Sequence, residues 1–200
     1  MNLRAPAILL ASRTHGETGV VARFLTDAFG LVAGYVAGGR GRQLRPVMIP
    51  GNAVEIELRA KSASQLPFAK VELVASRAPW MTEPLPAAAI TWSCALTASV
   101  LPERNRYPGM YDALEGLLEA ICRAPSARGW LGAMVLYEAM LLRELGYGGS
   151  KPDLADDLPT QFQSFRALHK PIGRYLLADT RGDVMAARVA LGERLARMVE

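Results

Sequence analysis

Residues 31–60 read LVAGYVAGGRGRQLRPVMIPGNAVEIELRA, and the last eight of them decide the fold of the first half of the chain. In AVEIELRA (53–60) the alternation is strict, with Val54, Ile56 and Leu58 facing one way and Glu55, Glu57 and Arg59 the other. That is the pattern of a β-strand with one face on a core and one in water. FAKVELVAS (68–76) repeats it, setting Val71 and Leu73 against Lys70 and Glu72. Working outward, APAILLAS (5–12), VVARFLTD (20–27) and LVAGYVAG (31–38) are further short apolar stretches, separated by turn-forming HGETG, AFG, GGRGRQLRPVMIPGN and KSASQLP. Five short strands with one long basic loop predict a small closed barrel; a sandwich usually needs about seven.

At APWMTEPLPAAA (78–89) prolines cluster and an alanine run opens a helical pattern, so the expected domains are 1–80, a barrel, and 81–200, an all-helical bundle. Leu114, Leu117, Leu118 and Ile121 recur at helical spacing between the Pro108-Gly109 turn and Pro125. Trp130, Met134, Tyr137, Leu141 and Leu145 line one face of the next helix, which Gly146 ends. Asp183 is the expected N-cap of a last helix with the core stripe Val184, Ala187, Leu191, Leu195 and Met198. The expected fold class is therefore α+β with two domains.

Half of the 200 residues are apolar and 21% are charged, the balance of a folded chain. The N-terminal stretch lacks the h-region and cleavage site of a secretory signal, and no run of about 18 apolar residues occurs, so a cytoplasmic protein is expected with no membrane partner. Cys94 and Cys122 fit neither a disulfide framework nor metal-ligand spacing, and both are expected as buried helical thiols. His15 and His169 stand alone in different halves, which leaves no support for a metal site or a nucleophile-base-acid arrangement. No catalytic residue, cofactor or metal is expected. The glycines of GYGGSK (146–151) lack phosphate-loop spacing and read as a helix end, and Arg181-Gly182-Asp183 reads as a turn into the last helix.

The net charge of +4 is unevenly spread, with ten Lys/Arg against five Asp/Glu in residues 1–81 and 13 against 14 in residues 82–200. A basic first half points to a polyanion partner. Arg40, Arg42 and Arg45 stand among Gly38, Gly39 and Gly41; guanidinium forks suit phosphate oxygens, and glycines let backbone N–H groups come close. Arg13, Arg23, Arg59, Lys61 and Lys70 complete the candidate surface. Single-strand binders add aromatic platforms, and Tyr35 and Phe24 are the aromatics of interest here, both also suited to a core. The competing reading is a hydrated basic face without a ligand.

ILLASRTHGETGVVARFLTDAFGLVAGYVAGGRG resembles the N-terminal segment of the bacterial RecO family of recombination mediators, through Ile8 to Ser12, Gly16-Glu17, Thr26 to Gly30 and Ala37 to Arg40. LYEAMLLRELGYG (136–148) resembles that family's aromatic-Glu-x-x-Leu-Leu-x-x-Leu-Gly-Tyr-Gly helix. The resemblance implies an oligonucleotide-binding (OB) barrel followed by a helical domain. It also implies single- and double-stranded DNA binding, strand annealing, and action with RecR and in some pathways RecF. A further implied partner is the acidic-hydrophobic tail of the single-stranded-DNA-binding protein, which RecA displaces, and a nucleoid-associated location follows. Many relatives carry a zinc-holding cysteine cluster after the Gly-Tyr-Gly helix; residues 150–165 contain no cysteine, so no zinc is expected. An OB-type RNA-binding or translation accessory protein is the alternative, because phosphate contacts do not distinguish sugars.

For the tail, helical geometry supplies the candidates. Leu141 and Leu142 lie about 100° apart on a helix, so this helix is either buried on two sides or leaves an edge open. An open edge would place Tyr137 and Leu141 in a groove, with Arg128 or Arg143 meeting the carboxylates.

Overall fold

The computed structural model describes residues 2–62, 65–148, 152, 156–180 and 184–199. Asp183, the expected helix cap, lies outside them, as do Arg181, Gly182 and the end of GYGGSK. Residues 1–82 with 101–112 form one compact unit, and 83–100 with 113–200 form the second. The return of the chain to the first unit after one helix leaves no mark in the periodicity.

In the first unit, β1 (Asn2–His15), β2 (Gly19–Thr26), β3 (Gly30–Val36), β4 (Ala53–Arg59) and β5 (Phe68–Ala75) close a barrel in the order β1-β2-β3-β5-β4. This is the expected OB-type barrel. Its first strand is long enough to pair twice. Asn2–Ile8 runs antiparallel to β4, and Ile8–His15 runs antiparallel to β2, with a register shift between Leu9 and Ala11. Such a bulge bends a strand and lets one segment serve two sides of a barrel. Closure needs β3 and β5 side by side in parallel, and Tyr35 N–H donates to the Pro67 carbonyl at 2.8 Å to begin it. Gly34 makes room, because a Cβ there would lie 2.8 Å from Ala69 Cβ and 2.9 Å from Leu58 Cδ2. The β2–β3 turn is held by Thr26, whose hydroxyl donates to the Gly30 carbonyl and accepts from Phe29 N–H, both at 3.0 Å. Gly30 itself has φ +66°.

Val54, Ile56 and Leu58 are buried with Leu9, Phe24, Val32 and Val36 in one core, as the alternation requires. The β5 pattern holds only in part. Val71 is buried, but Leu73 is exposed although it pairs in register with Val54; the slip lies beyond it, where Val74 is the extra residue between the Leu73–Val54 and Ala75–Ala53 pairs. Phe24 is fully buried and so is no platform for bases.

The second unit is helical: α1 (Pro84–Val100), α2 (Met110–Arg123, which starts in the first unit), α3 (Leu131–Glu144), α4 (Leu158–Ala167), the single turn α5 (His169–Pro171), a π-helical turn at Ile172–Leu176, and α6 (Val184–Ala196). Helix α3 ends as expected: Gly146 takes φ +87°, its N–H donates to Arg143 O, and Tyr147 N–H donates to Leu142 O at 2.8 Å. These are the paired bonds of a Schellman ending. Asp157 caps α4 by accepting from Thr160 N–H at 2.8 Å, and that N–H bond holds its carboxyl below the usual aspartate range. A depressed folded-state pKa stabilises above the unfolded value and is lost as pH falls through the folded one. We therefore expect α4 amide protection, read by hydrogen exchange, to fall below about pH 4 and to be pH-independent in Asp157→Asn.

Much of α1 is buried, including Ile90, Trp92, Cys94, Leu96 and Thr97, while Thr91 is exposed. At its centre Glu138 of α3 and Arg188 of α6 are both buried and pair at 2.7 Å. Trp92 Nε1 donates to Glu138 Oε1 at 2.7 Å, and Arg188 Nη2 donates to the Phe165 carbonyl at 2.6 Å with its guanidinium 3.9 Å from the Phe165 ring. Burial pushes the Glu138 carboxyl up, while Arg188 and Trp92 pull it back. One charge cluster thus joins α1, α3, α4 and α6. The core stripe of α6 runs through Arg188, Leu191 and Leu195, whereas Met198 is exposed. Cys94 is buried and Cys122 half-buried. No helix among the described residues is long and apolar enough to cross a membrane.

Candidate nucleic-acid interface

The basic loop between β3 and β4 is folded rather than pliable. Val47 and Met48 enter the barrel core with Leu44 packed against it, and Met48 N–H donates to Leu44 O at 3.0 Å. Buried Asn52 donates to the Pro46 and Val47 carbonyls, both at 3.0 Å, and accepts from Arg77 N–H at 2.8 Å. Arg77 also donates to the Gly51 carbonyl. With its apolar residues anchored, the loop presents Arg40, Arg42 and Arg45 to solvent. Arg40 Nη1 donates to the Glu17 carbonyl at 2.9 Å, fixing this guanidinium beside the β1–β2 turn.

Arg40 and Arg45 line a cleft of about 400 Å³ with Ser12, Thr14 and Gly39. Ser12 also borders a neighbouring cleft of about 380 Å³ lined by Arg13, Val21, Arg23 and Ala33. The second cleft lies on the outer face of β1, β2 and β3, whereas Thr14 and Val20 of the first are on the core-facing side of the same strands, so the two meet only at Ser12. Among the described residues Arg13, Arg42 and Arg45 have no carboxylate partner, whereas Arg23 pairs with Glu103 at 3.0 Å.

The same outer face carries a row of three rings, His15 and Phe68 exposed and Tyr35 half-buried between them. His15 and Tyr35 meet edge-on with centroids 5.6 Å apart, and Tyr35 meets Phe68 edge-on at 5.5 Å. Phe68 is 64% exposed, which a core role does not explain. Gly19 lets the row form, because a Cβ there would lie 2.4 Å from the Tyr35 ring. Sequence reasoning passed over Phe68 and His15; their signal was the placement of both beside Tyr35, visible only once the parallel β3–β5 register is known.

Arg59 and Lys70 belong to another face. On the outside of β1, β4 and β5, Arg4 pairs with Glu55 at 2.9 Å, Arg59 with Glu57 and Lys70 with Glu72 at 2.7 Å. Lys70 holds the Glu72 carboxyl below its usual range. Cations and carboxylates alternate there, and the face carries no net cationic field. Lys61 is exposed in the β4–β5 loop near Arg59 and Phe68, away from the arginine loop's clefts.

Of the two readings of α3, the structure shows burial on two sides. Tyr137, Leu141 and Leu142 are all buried, so α3 is covered on two sides, and the Tyr137 hydroxyl sits 2.6 Å from Thr97 Oγ1 inside the bundle. Burial pushes that phenol far above its ordinary pKa. Arg128 and Arg143 are exposed, with Arg128 donating to the Asp156 carbonyl and Arg143 pairing with Glu144.

Comparison with known proteins decides the family. The family model described as Recombination protein O N terminal matches residues 1–77, and Recombination protein O C terminal matches residues 82–175. A "DNA repair protein RecO" of Rhizobium etli is 35% identical over 182 residues, covering 86% of this chain and 69% of that protein. The chain belongs to the RecO family. Proteins of the same name from Phenylobacterium zucineum and Caulobacter vibrioides are each 38% identical, over 149 and 143 residues, covering 74% and 71% of this chain. The chain spans 60% and 58% of the lengths of those two RecO proteins. The Thr26-to-Gly30 turn and the Gly146 helix end, two of the motifs that carry the resemblance, are thus hydrogen-bonded structural devices.

Proposed function

We propose that this RecO-family chain serves DNA repair and recombination by binding single- and double-stranded DNA and annealing complementary strands, through contacts rather than through a chemical step. The observation that carries this reading is the exposed Arg40, Arg42 and Arg45 of the loop, with Arg13 on the outer face of β1 that also carries the His15, Tyr35 and Phe68 rings. Arginines at phosphates supply affinity without reading sequence, and rings accept any base. Annealing asks for nothing more: charge neutralisation lets two strands approach, and stacking holds bases outward for pairing.

RecR, in some pathways RecF, and the tail of the single-stranded-DNA-binding protein are the proposed partners, so that RecA replaces that protein on the strand. Arg128 and Arg143 are the exposed cations at the two ends of α3 proposed for the tail's carboxylates. A nucleoid-associated cytoplasmic location accompanies this role.

The test is competition at fixed salt among single-stranded DNA, duplex DNA and RNA of one length. Displacement by both DNAs, with Tyr35→Ala and Phe68→Ala together weakening single-strand binding by at least about tenfold, is expected from stacking worth about 1–3 kcal/mol per base. Preference for RNA over both DNAs would replace this reading with an RNA-binding one.

A further inference from the structure

The helical unit carries a feature that the barrel site does not use. Tyr147 and Tyr175 are 51% and 44% exposed, and their rings stack with centroids 5.4 Å apart at 14°. Two large rings laid together in solvent serve no core. The Arg174 guanidinium lies 5.5 Å from the Tyr175 centroid. Arg174 and Tyr175 sit in the π-helical turn Ile172–Leu176, closed by Leu177 N–H donating to Ile172 O at 3.1 Å. Such turns are rare and concentrate at functional sites.

Charge follows the rings. Residues 158–178, LPTQFQSFRALHKPIGRYLLA, contain no acid but carry Arg166, Lys170 and Arg174 at four-residue spacing on a nearly continuous helical path. Residues spaced so lie near one another on a helix surface. All three are exposed, and none has a carboxylate partner among the described residues. Lys170 and Arg174 also line a cleft of about 810 Å³ with His169, Met185, Val189 and Glu193.

We infer that the stacked Tyr147–Tyr175 pair, with Lys170 and Arg174, is a second contact for a single nucleic-acid strand, bases stacking on the rings and phosphates meeting the cations. This rests on the reading of the chain as a nucleic-acid-binding protein. It goes beyond it in giving the helical unit a strand contact of its own, so that one molecule grips a strand at two places.

Photo-crosslinking the full chain to oligothymidylate carrying 5-iodouracil, with adducts mapped by mass spectrometry, tests this. Adducts are expected at Tyr175 or Tyr147 as well as at Tyr35 or Phe68. Tyr147→Ala with Tyr175→Ala removes the first set and lowers affinity at least about fivefold, while Tyr175→Phe, which keeps the ring, retains it; both rings are exposed, so the bundle stays folded. Lys170→Glu with Arg174→Glu lowers affinity likewise. Adducts confined to Tyr35 and Phe68 overturn the second contact and leave the barrel reading standing. Adducts confined to Tyr147 and Tyr175 do the reverse. An acidic fluorescent peptide whose binding needs Lys170 and Arg174, alongside oligonucleotide binding that ignores them, shows a peptide site instead and overturns the inference.

Discussion

With Arg40, Arg42 and Arg45 all replaced by alanine, the slope of log K against log salt for single-stranded DNA flattens by roughly 2 to 3 units, at about 0.7 to 0.9 for each phosphate no longer neutralised. The loop itself survives the change. Its fold depends on Val47 and Met48 in the core and on the Asn52 amide, none of which involves the three guanidiniums. Arg40 donates one bond to the Glu17 carbonyl, which accepts without neutralising its charge, so it counts with the other two. Replacing Arg59 and Lys70 in the same way leaves the slope nearly unchanged, because both charges are already answered by Glu57 and Glu72. A triple variant with an unaltered slope would remove the loop from the interface.

The second large effect belongs to stability. Arg188→Ala leaves Glu138 buried beside Trp92 with its charge uncompensated, and breaking a buried pair on one side costs about 3–5 kcal/mol. Equilibrium unfolding followed by Trp fluorescence should report that loss, since Trp92 Nε1 shares Glu138 Oε1 with the guanidinium. Replacing both partners at once, Glu138→Gln with Arg188→Met, is expected to recover much of it, because no unpaired charge remains. A loss in Arg188→Ala below about 1 kcal/mol, the range of exposed pairs, would contradict the role given to this cluster.

Arg188 also shows where the sequence could be read further. Helix α6 reads as an apolar stripe through Leu191 and Leu195, and Arg188 stands three and seven residues before them on that same stripe. An arginine there, with Glu138 in the middle of an equally apolar helix, was the available signal of a buried pair. The barrel was legible because strands alternate with period two and loops collect glycine and proline. The arginine loop was legible because three like charges in six residues need no register to be seen. Arg59 and Lys70 were not separable from it, since which carboxylate faces which cation depends on the β4–β5 register. Leu73 keeps the alternation, pairing with buried Val54, yet is exposed near the end of β5, which the pattern alone does not show. In α3 the pattern allowed burial on two sides or an open edge, and packing against Thr97 and its neighbours fixed the first.

The central claim is that nucleic acid contacts the arginine loop and the β1–β2 hairpin whose turn it adjoins. Hydrogen exchange of the full chain with and without a saturating oligothymidylate tests it most directly. New protection over residues 12–21 and 33–45, with β4 and the Lys70–Glu72 stretch unchanged, is the predicted result. Protection centred on 53–59 and 70–72, with the arginine loop unaffected, would place the strand on the ion-paired face and contradict the account.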